Sequence, residues 1–379
     1  MKYILISLTI LLNACVSSYL ESDYGEELET PIVSTELQTL SMFSGSFEIA
    51  LPQSHRILSG NNPKRVDVSI DLGRLNPLVC SVSPREDSGA ASGLELEYLY
   101  YQSYQRYHGT GYLPKLSFDF EGVAPSALVV NRHGDRYNQS FDKASMSFYR
   151  DFLFSCRHNG AWDTKGFNSY VKNLAKTIAV KYSGRSLLSK RVYKLKTSKT
   201  IRGFEIHYLW KKGQNYYSEK ILSSINSSNR DRLVALDRYE RVDWDDKGQL
   251  FLGEFRTIRN QKIIYDLKLN PKDEQSFVVS GAFNGKNIQK RISSPRFPVI
   301  PFLDAYNTVD LDRISIFDPN HRLAFISAAL SSKKANVLSI KSKFFKSFVY
   351  MNSAGVPKTV VYRHRNQNYF KILVYSHQY

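Results

Sequence analysis

The chain has 379 residues, 42% of them hydrophobic and 23% charged, and carries a formal net charge of +17. That balance reads as a globular, soluble chain rather than a disordered one, with room for one large domain or two ordinary ones. After the first fifteen residues no apolar run approaches the roughly twenty residues that a membrane-spanning helix needs.

Residues 1–14 open with Lys2, run through the apolar stretch Tyr3–Leu12 and reach Cys15 by way of Asn13 and Ala14. An apolar core of about ten residues is too short to span a bilayer and fits the central region of an export signal. Leu12-Asn13-Ala14-Cys15 resembles the lipobox of bacterial lipoproteins. The resemblance implies that the Cys15 thiol takes a diacylglycerol thioether. It further implies that the signal peptide, residues 1–14, is cut just before Cys15 and that the new amino group is acylated. Two or three acyl chains, at about 0.8 kcal/mol per buried methylene, make such an anchor effectively permanent. Val16 follows the cysteine, where Asp would retain a lipoprotein in the inner membrane, so the resemblance points to the outer membrane, facing the periplasm. The alternative is an ordinary signal peptide that happens to end on a cysteine.

From Val16 to Leu40 there are six acids and no Lys or Arg, and large apolar residues are few. Residues 15–40 therefore read as an acidic, flexible tether. The body beyond it holds 51 bases against 29 acids, near +22, which suggests an anionic surface as partner: anionic lipid, lipopolysaccharide or an acidic glycan. A soluble basic surface without a dedicated ligand is the alternative, and the export signal argues against nucleic acid.

Residues 41–188 read as a mixed β/α region. Ser46–Leu51 and Arg65–Leu72 alternate with period two, and Leu78–Val82 carries Cys80. Leu94–Tyr100 alternates with a Tyr-rich face, and Leu116–Phe120 is a further short strand. Ala127–Asn131 and Tyr137–Phe141 flank Arg-His-Gly-Asp-Arg, a hairpin tip. Two helices are predicted next. Asp142 caps Lys143–Ser155, with Met146, Tyr149, Phe152 and Leu153 on one face, and Gly166–Tyr182 places Phe167, Val171, Leu174 and Ile178 at helical spacing. With Cys15 taken by lipid, Cys80 and Cys156 remain. In an oxidising compartment they pair, the alternative being two separate buried thiols.

Residues 189–379 read as an antiparallel β domain. Lys190–His207, Leu233–Trp244, Gln249–Ile258, Lys262–Leu269, Ser276–Phe283 and Asn287–Ile292 are strands, with a tight turn at Asn284-Gly285. A Pro-rich crossing at Ser294–Pro301 leads to a short helix at Phe302–Asp310, and a meander follows: Val337–Tyr350, Thr359–His364 and Tyr369–Ser376. The fold class is thus mainly β (α+β), with a curved antiparallel sheet or half-barrel in the C-terminal half. In strand order and style this half weakly resembles the half-barrels of LolA/LolB-type envelope proteins, in which a long antiparallel sheet wraps an apolar cavity. The resemblance carries over no functional residue.

Arg132-His133-Gly134-Asp135-Arg136 is similar to the RHGxR signature of histidine phosphatases. The resemblance implies His133 as phosphoryl-accepting nucleophile, with Arg132 and Arg136 clamping the phosphoryl oxygens. The sequence departs from that family at Asn138, where Pro is usual, and lacks the later acid pair. The plain alternative is a hairpin with Gly134 at its turn. Two basic runs follow: Lys190, Arg191, Lys194, Lys196, Lys199 and Arg202, then Lys341, Lys343 and Lys346. Either is an anion-binding stripe or a solvated strand face. The histidines lack metal-ligand spacing, no cysteine stands in a CxxC pair, and no GxSxG, Walker or GxGxxG pattern occurs, so no metal and no cofactor are expected. The expected role is a non-enzymatic binding or assembly module for an amphiphile, glycan or protein partner. A hydrolase centred on His133 is the rival.

Overall fold

Alternating apolar and polar residues dominate this chain, and period two builds strands. A computed structural model describes residues 36–378, apart from 59–63, 86–114, 121–123, 134–139 and 298–312 and from short stretches at 161, 183, 198–199, 229–231, 246–248, 261, 320–322, 335, 344–345, 354–355 and 365–366. The predicted strand Leu94–Tyr100 and the predicted helix Phe302–Asp310 lie outside the described residues, as do Cys15 and the rest of 1–35.

The first strands are β1 (Leu37–Met42), β2 (Phe47–Pro52), β3 (His55–Ile57), β4 (Val66–Ile70) and β5 (Leu78–Pro84). After them come β6 (Lys115–Asp119), β7 (Ser126–His133), β8 (Ser140–Phe148) and β9 (Phe152–Asn159). Helix α1 (Thr164–Lys176) and β10 (Ala179–Val180) complete this part. β1 includes Leu37–Leu40, the end of the segment read as tether. The antiparallel ladders give a three-stranded sheet, β1-β2-β10, and a seven-stranded sheet, β3-β4-β5-β9-β8-β7-β6.

The predicted helix Lys143–Ser155 is instead the hairpin of β8 and β9, paired from Asp142↔Asn159 to Phe148↔Leu153. The reason is burial on both faces. Met146, Phe148 and Leu153 face one core, while Tyr149, Phe152, Phe154 and Cys156 face another, so apolar residues recur at helical and strand spacing alike. The second predicted helix, Gly166–Tyr182, forms as α1 but ends at Lys176, and Ala179–Val180 pair with β2 as strand β10 instead. The Asp163 side chain accepts from Gly166 N at 2.6 Å, and Phe167, Val171 and Leu174 form the buried stripe. α1 and β1–β2 cover one face of the seven-stranded sheet.

Fourteen strands follow in one antiparallel sheet. β11 (Ser186–Lys196), β12 (Ile201–Lys212), β13 (Asn215–Ser228), β14 (Arg232–Trp244), β15 (Leu250–Arg259), β16 (Lys262–Asp273), β17 (Ser276–Phe283) and β18 (Lys286–Ser293) form one arm. β19 (Arg313–Asp318), β20 (Ala324–Lys334), β21 (Val337–Lys341), β22 (Lys346–Met351), β23 (Pro357–His364) and β24 (Gln367–Gln378) form the other. The arms join where β11 pairs β24, and the ladder ends at β18 and β19. The span read as one strand, Lys190–His207, is the β11–β12 hairpin. β13, β19 and β20 are strands the sequence reading missed. The β17–β18 turn is as expected, with Asn284 and Gly285 at φ 49° and 77°.

Register shifts in β11, β14, β15, β16, β20 and β22 bend the sheet. It rolls until β18 lies against β20. Phe317 and Phe325 of the far arm then meet Phe255 (4.7 Å) and Phe277 (5.7 Å) of the near arm. The outer face of β11–β15 packs on β7–β9, through Phe204, Ile206, Tyr208 and Trp210 against Ala127, Val129, Met146 and Phe148.

Cys80 and Cys156 are directly opposed on β5 and β9, with Cα atoms 4.0 Å apart, and form a buried disulfide. The loop it closes spans 76 residues. Chain entropy then gives about 4 kcal/mol, so replacing both cysteines with Ala should lower unfolding free energy in urea by about that much; a loss under 1 kcal/mol would contradict it.

Candidate functional site

Side chains alternate across a strand, so each residue of β12 belongs either to the outer face, against β7–β9, or to the inside of the roll. Phe204, Ile206, Tyr208 and Trp210 take the outer positions. Glu205 and His207 take the inner ones. Cross-strand register carries the inner face to Tyr193 on β11, Lys220 on β13, and Arg238 and Glu240 on β14. Lys371 of β24 joins them.

Glu205 Oε1 accepts hydrogen bonds from Lys371 Nζ at 2.8 Å and from His207 Nε2. The Tyr193 ring lies 4.6 Å from Lys371 Nζ and 4.9 Å from the His207 ring. Burial alone would raise the Glu205 carboxyl; Lys371 and His207 override it and hold it well below the usual carboxylate range. Lys371 is pushed up in turn, Glu205 outweighing its desolvation.

Lys220 and Glu240 form a second ion pair, and Arg238 Nη1 stands 3.9 Å from Glu240 Oε1. Desolvation is the largest influence on each, opposed by the neighbouring charges, so that Glu240 is lowered while Lys220 and Arg238 are raised. Yet their side chains keep 24% (Lys220), 19% (Glu240) and 31% (Arg238) of their surface open. These side chains are therefore only partly buried, and each keeps some contact with solvent. Arg238 also feels Tyr362 of β23, five ladder steps from β14, so the roll brings opposite walls together. On the same face of the sheet as Lys371, the apolar row Ile314, Ala328, Ile340, Val349 and Val360 runs across β19–β23 and is itself buried.

The outer face holds a separate network. The fully buried Glu219 accepts from Arg150 Nε (2.9 Å) and Nη2, from Trp210 Nε1 (2.9 Å) and from the Tyr239 hydroxyl (3.1 Å). Arg150 sits in the β8–β9 turn and also pairs with Asp151, which receives Arg185 Nη2 at 2.5 Å. Arg185 lies over Trp210 at 4.4 Å. Four hydrogen bonds from three residues thus satisfy one carboxylate, and one of those residues, Arg150, belongs to the turn of the other sheet.

Of the residues singled out in the sequence, Cys80 and Cys156 are joined. Arg132 and His133 are the last two residues of β7, paired along the backbone with Phe141 and Ser140; Arg136 and Cys15 lie outside the described residues. In the first basic run Lys190 and Arg191 are buried, on the outer and inner face respectively, so neither belongs to a solvated strand face. The inner cluster was missed. Its signal was present in Glu205-x-His207 and Arg238-x-Glu240, ionisable residues at strand spacing inside apolar runs. Among the described residues no group of three His, Cys, Asp or Glu could hold a metal ion.

No family model matches the chain, and no curated protein matches it. Among solved structures it is similar to a β-barrel-like protein of a domain of unknown function from Brucella abortus. The match has 10% identity and a TM-score of 0.39 over 52% of this chain and 100% of that one.

Two measurements check these networks. Arg150→Met leaves the Glu219 carboxylate buried without its cation and should cost about 3–5 kcal/mol, with part regained in the double variant carrying Glu219→Gln; a loss below 1 kcal/mol would remove the fork from its structural role. Lys190, beside Tyr208 and Tyr375, is pushed down to about 8 by burial. Its folded value lies below the unfolded one, so its penalty is complete below pH 8 and vanishes as pH rises through about 10.5. Lys190→Met should therefore stabilise by about 3 kcal/mol at pH 7 and by nothing near pH 11; a gain independent of pH would contradict this.

Proposed function

We propose that this protein is a lipid-anchored lipoprotein of the bacterial cell envelope, whose rolled sheet is a non-enzymatic binding module for an envelope amphiphile. The observation that carries the binding reading is the set of charged side chains inside the roll that remain open to solvent. A core built for stability alone has no use for them, because an apolar replacement of a buried ion pair is often as stable or more so. Partly open charges on an otherwise apolar sheet face suit the polar head of an amphiphile.

The anchor rests on the opening residues. Leu12–Cys15 supplies the acceptor thiol, and Val16 favours the outer membrane, facing the periplasm. The Cys80–Cys156 disulfide supports an oxidising compartment.

One culture tests both halves. Grown with labelled palmitate, cells should label the wild-type protein but not Cys15→Ala, and equal labelling would refute the lipid anchor. Native mass spectrometry of the Cys15→Ala protein should show a co-purifying amphiphile within the folded charge states. A clean apo mass that no added amphiphile shifts would refute the binding module.

A further inference from the structure

Large apolar side chains that stand open to water are unevenly placed on this molecule. Ile201, Ile263, Tyr350 and Tyr362 are spread singly over β12, β16, β22 and β23, as isolated surface residues ordinarily are. Leu37, Ile57, Leu58 and Leu75 instead gather at one corner of the N-terminal part. Leu75 has 99% of its surface exposed, and the other three have 54–56%.

Hydrogen bonds and register join the segments that carry them. Leu37 opens β1 opposite Pro52, and Gln53 N donates to Glu36 O at 3.3 Å. Pro52 O accepts from His55 Nδ1 at 2.7 Å, and His55 begins β3 opposite Ile70. Ser54 Oγ donates to Asp71 O at 3.0 Å, at the start of the loop that presents Leu75 between β4 and β5. Ile57 ends β3, the outermost strand of its sheet, and Leu58 follows on the opposite face.

Charge and chain length point to what meets this corner. Arg56 and Lys64 are exposed beside the apolar residues. The nearby carboxylates are engaged: Glu36 by Gln53, Asp67 by Arg65, and Asp71 by the backbone N–H of Gly73. Apolar tips flanked by cations match the interface of an anionic bilayer. Residues 16–35 separate Cys15 from Glu36, and a chain of that length reaches at most about 70 Å when fully extended. An acylated Cys15 therefore holds the body within that distance of a bilayer, and Glu36 is part of this corner. Tethering also raises effective concentration, so contacts too weak to bind a free protein suffice. A second chain pairing on β3 is a poorer match, because three residues make too short an edge to template a strand.

We propose that this corner lies on the bilayer that holds the Cys15 anchor, with Leu75 entering the interfacial region, Leu37, Ile57 and Leu58 beside it, and Arg56 and Lys64 on anionic headgroups. The proposal rests on the lipid-anchor reading above and adds to it which side of the body faces the membrane.

The test replaces the acyl anchor, so that it reads the corner whether or not Cys15 is lipidated. The chain from Val16 onward, with an N-terminal hexahistidine tag, is held by nickel-chelating lipid on vesicles of phosphatidylethanolamine and phosphatidylglycerol. Leu75→Cys then supplies one free thiol, because Cys80 and Cys156 are joined. It carries a fluorophore that spin-labelled lipid quenches. Quenching should be at least threefold stronger there than for the same label at Lys290→Cys on β18, and equal quenching overturns the proposal. With the label moved to Ile57→Cys, the excess quenching should persist, and adding Leu75→Asp should remove it. An excess that Leu75→Asp leaves unchanged overturns the role of Leu75. Leu75 makes no buried contact to lose, and near-UV circular dichroism verifies folding. Sedimentation without vesicles should show a monomer. A dimer that Leu75→Asp dissolves assigns the corner to a second copy of the chain and overturns the membrane contact. Failure of palmitate labelling bears on the anchor alone, and failure of quenching on the corner alone.

Discussion

The fully buried Glu219 carboxylate is the constraint on which the two halves of the molecule meet. A charge in that position persists only if cations and donors surround it, and β13 and its neighbours supply just the Trp210 indole and the Tyr239 hydroxyl. The cation comes from Arg150, in the turn between β8 and β9. The seven-stranded sheet must therefore dock with its β8–β9 turn over β13 for the C-terminal wall to be electrostatically complete. A two-pronged guanidinium contact fixes orientation as well as distance. The apolar contacts of Phe148 with Phe204 and of Met146 with its neighbours supply area, which is not directional. The fork supplies register, and Arg185, held by Asp151 and Trp210, extends it to the start of β11.

Once the outer face is fixed in this way, the inner face is determined by the pleat. Glu219 and Lys220 are adjacent, so if Glu219 faces Arg150, Lys220 must point into the roll. The same holds for Tyr239, bonded to Glu219, and its neighbours Arg238 and Glu240. One slip of register would place Glu219 inside and Lys220 against Arg150, like charge on like charge. The outer lock and the inner charged wall are thus one sequence feature read on two sides.

This double use explains what could be read from the chain and what could not. Strands with one busy face were legible: Arg65–Leu72 alternates cleanly, and Asn284-Gly285 announces its hairpin. Helix α1 was legible because it is a surface helix with one stripe, Phe167, Val171 and Leu174. The β8–β9 hairpin was not, because a middle layer buries both faces and a short, doubly buried strand shares its apolar spacing with a helix. β13 was missed for the opposite reason: Glu219 and Lys220 put charge on both faces, so its pattern looks polar although the strand is central. β19 carries Ile314 and Phe317 on opposite faces, and β20 carries their partners Ala328 and Phe325, each face against a different neighbour, so alternation disappears there too. The inner site escaped notice because period two reveals a face but does not say that two distant strands, β14 and β23, will face each other.

The way the roll closes bears on its use. Among the described residues β18 and β19 end the ladder without pairing each other, and the two arms meet through the packing of Phe317 and Phe325 on Phe255 and Phe277. Each such aromatic pair adds about 0.5–1.5 kcal/mol beyond its buried area. Parting them exposes apolar surface but leaves every ladder hydrogen bond intact. A barrel closed by hydrogen bonds would have to break a whole strand's worth to admit a molecule of any length. β18 itself carries Lys286, Lys290 and Arg291, charges that keep a free edge from pairing with another chain. The seam is therefore held by side-chain packing, and its edge strand is protected against aggregation by charge.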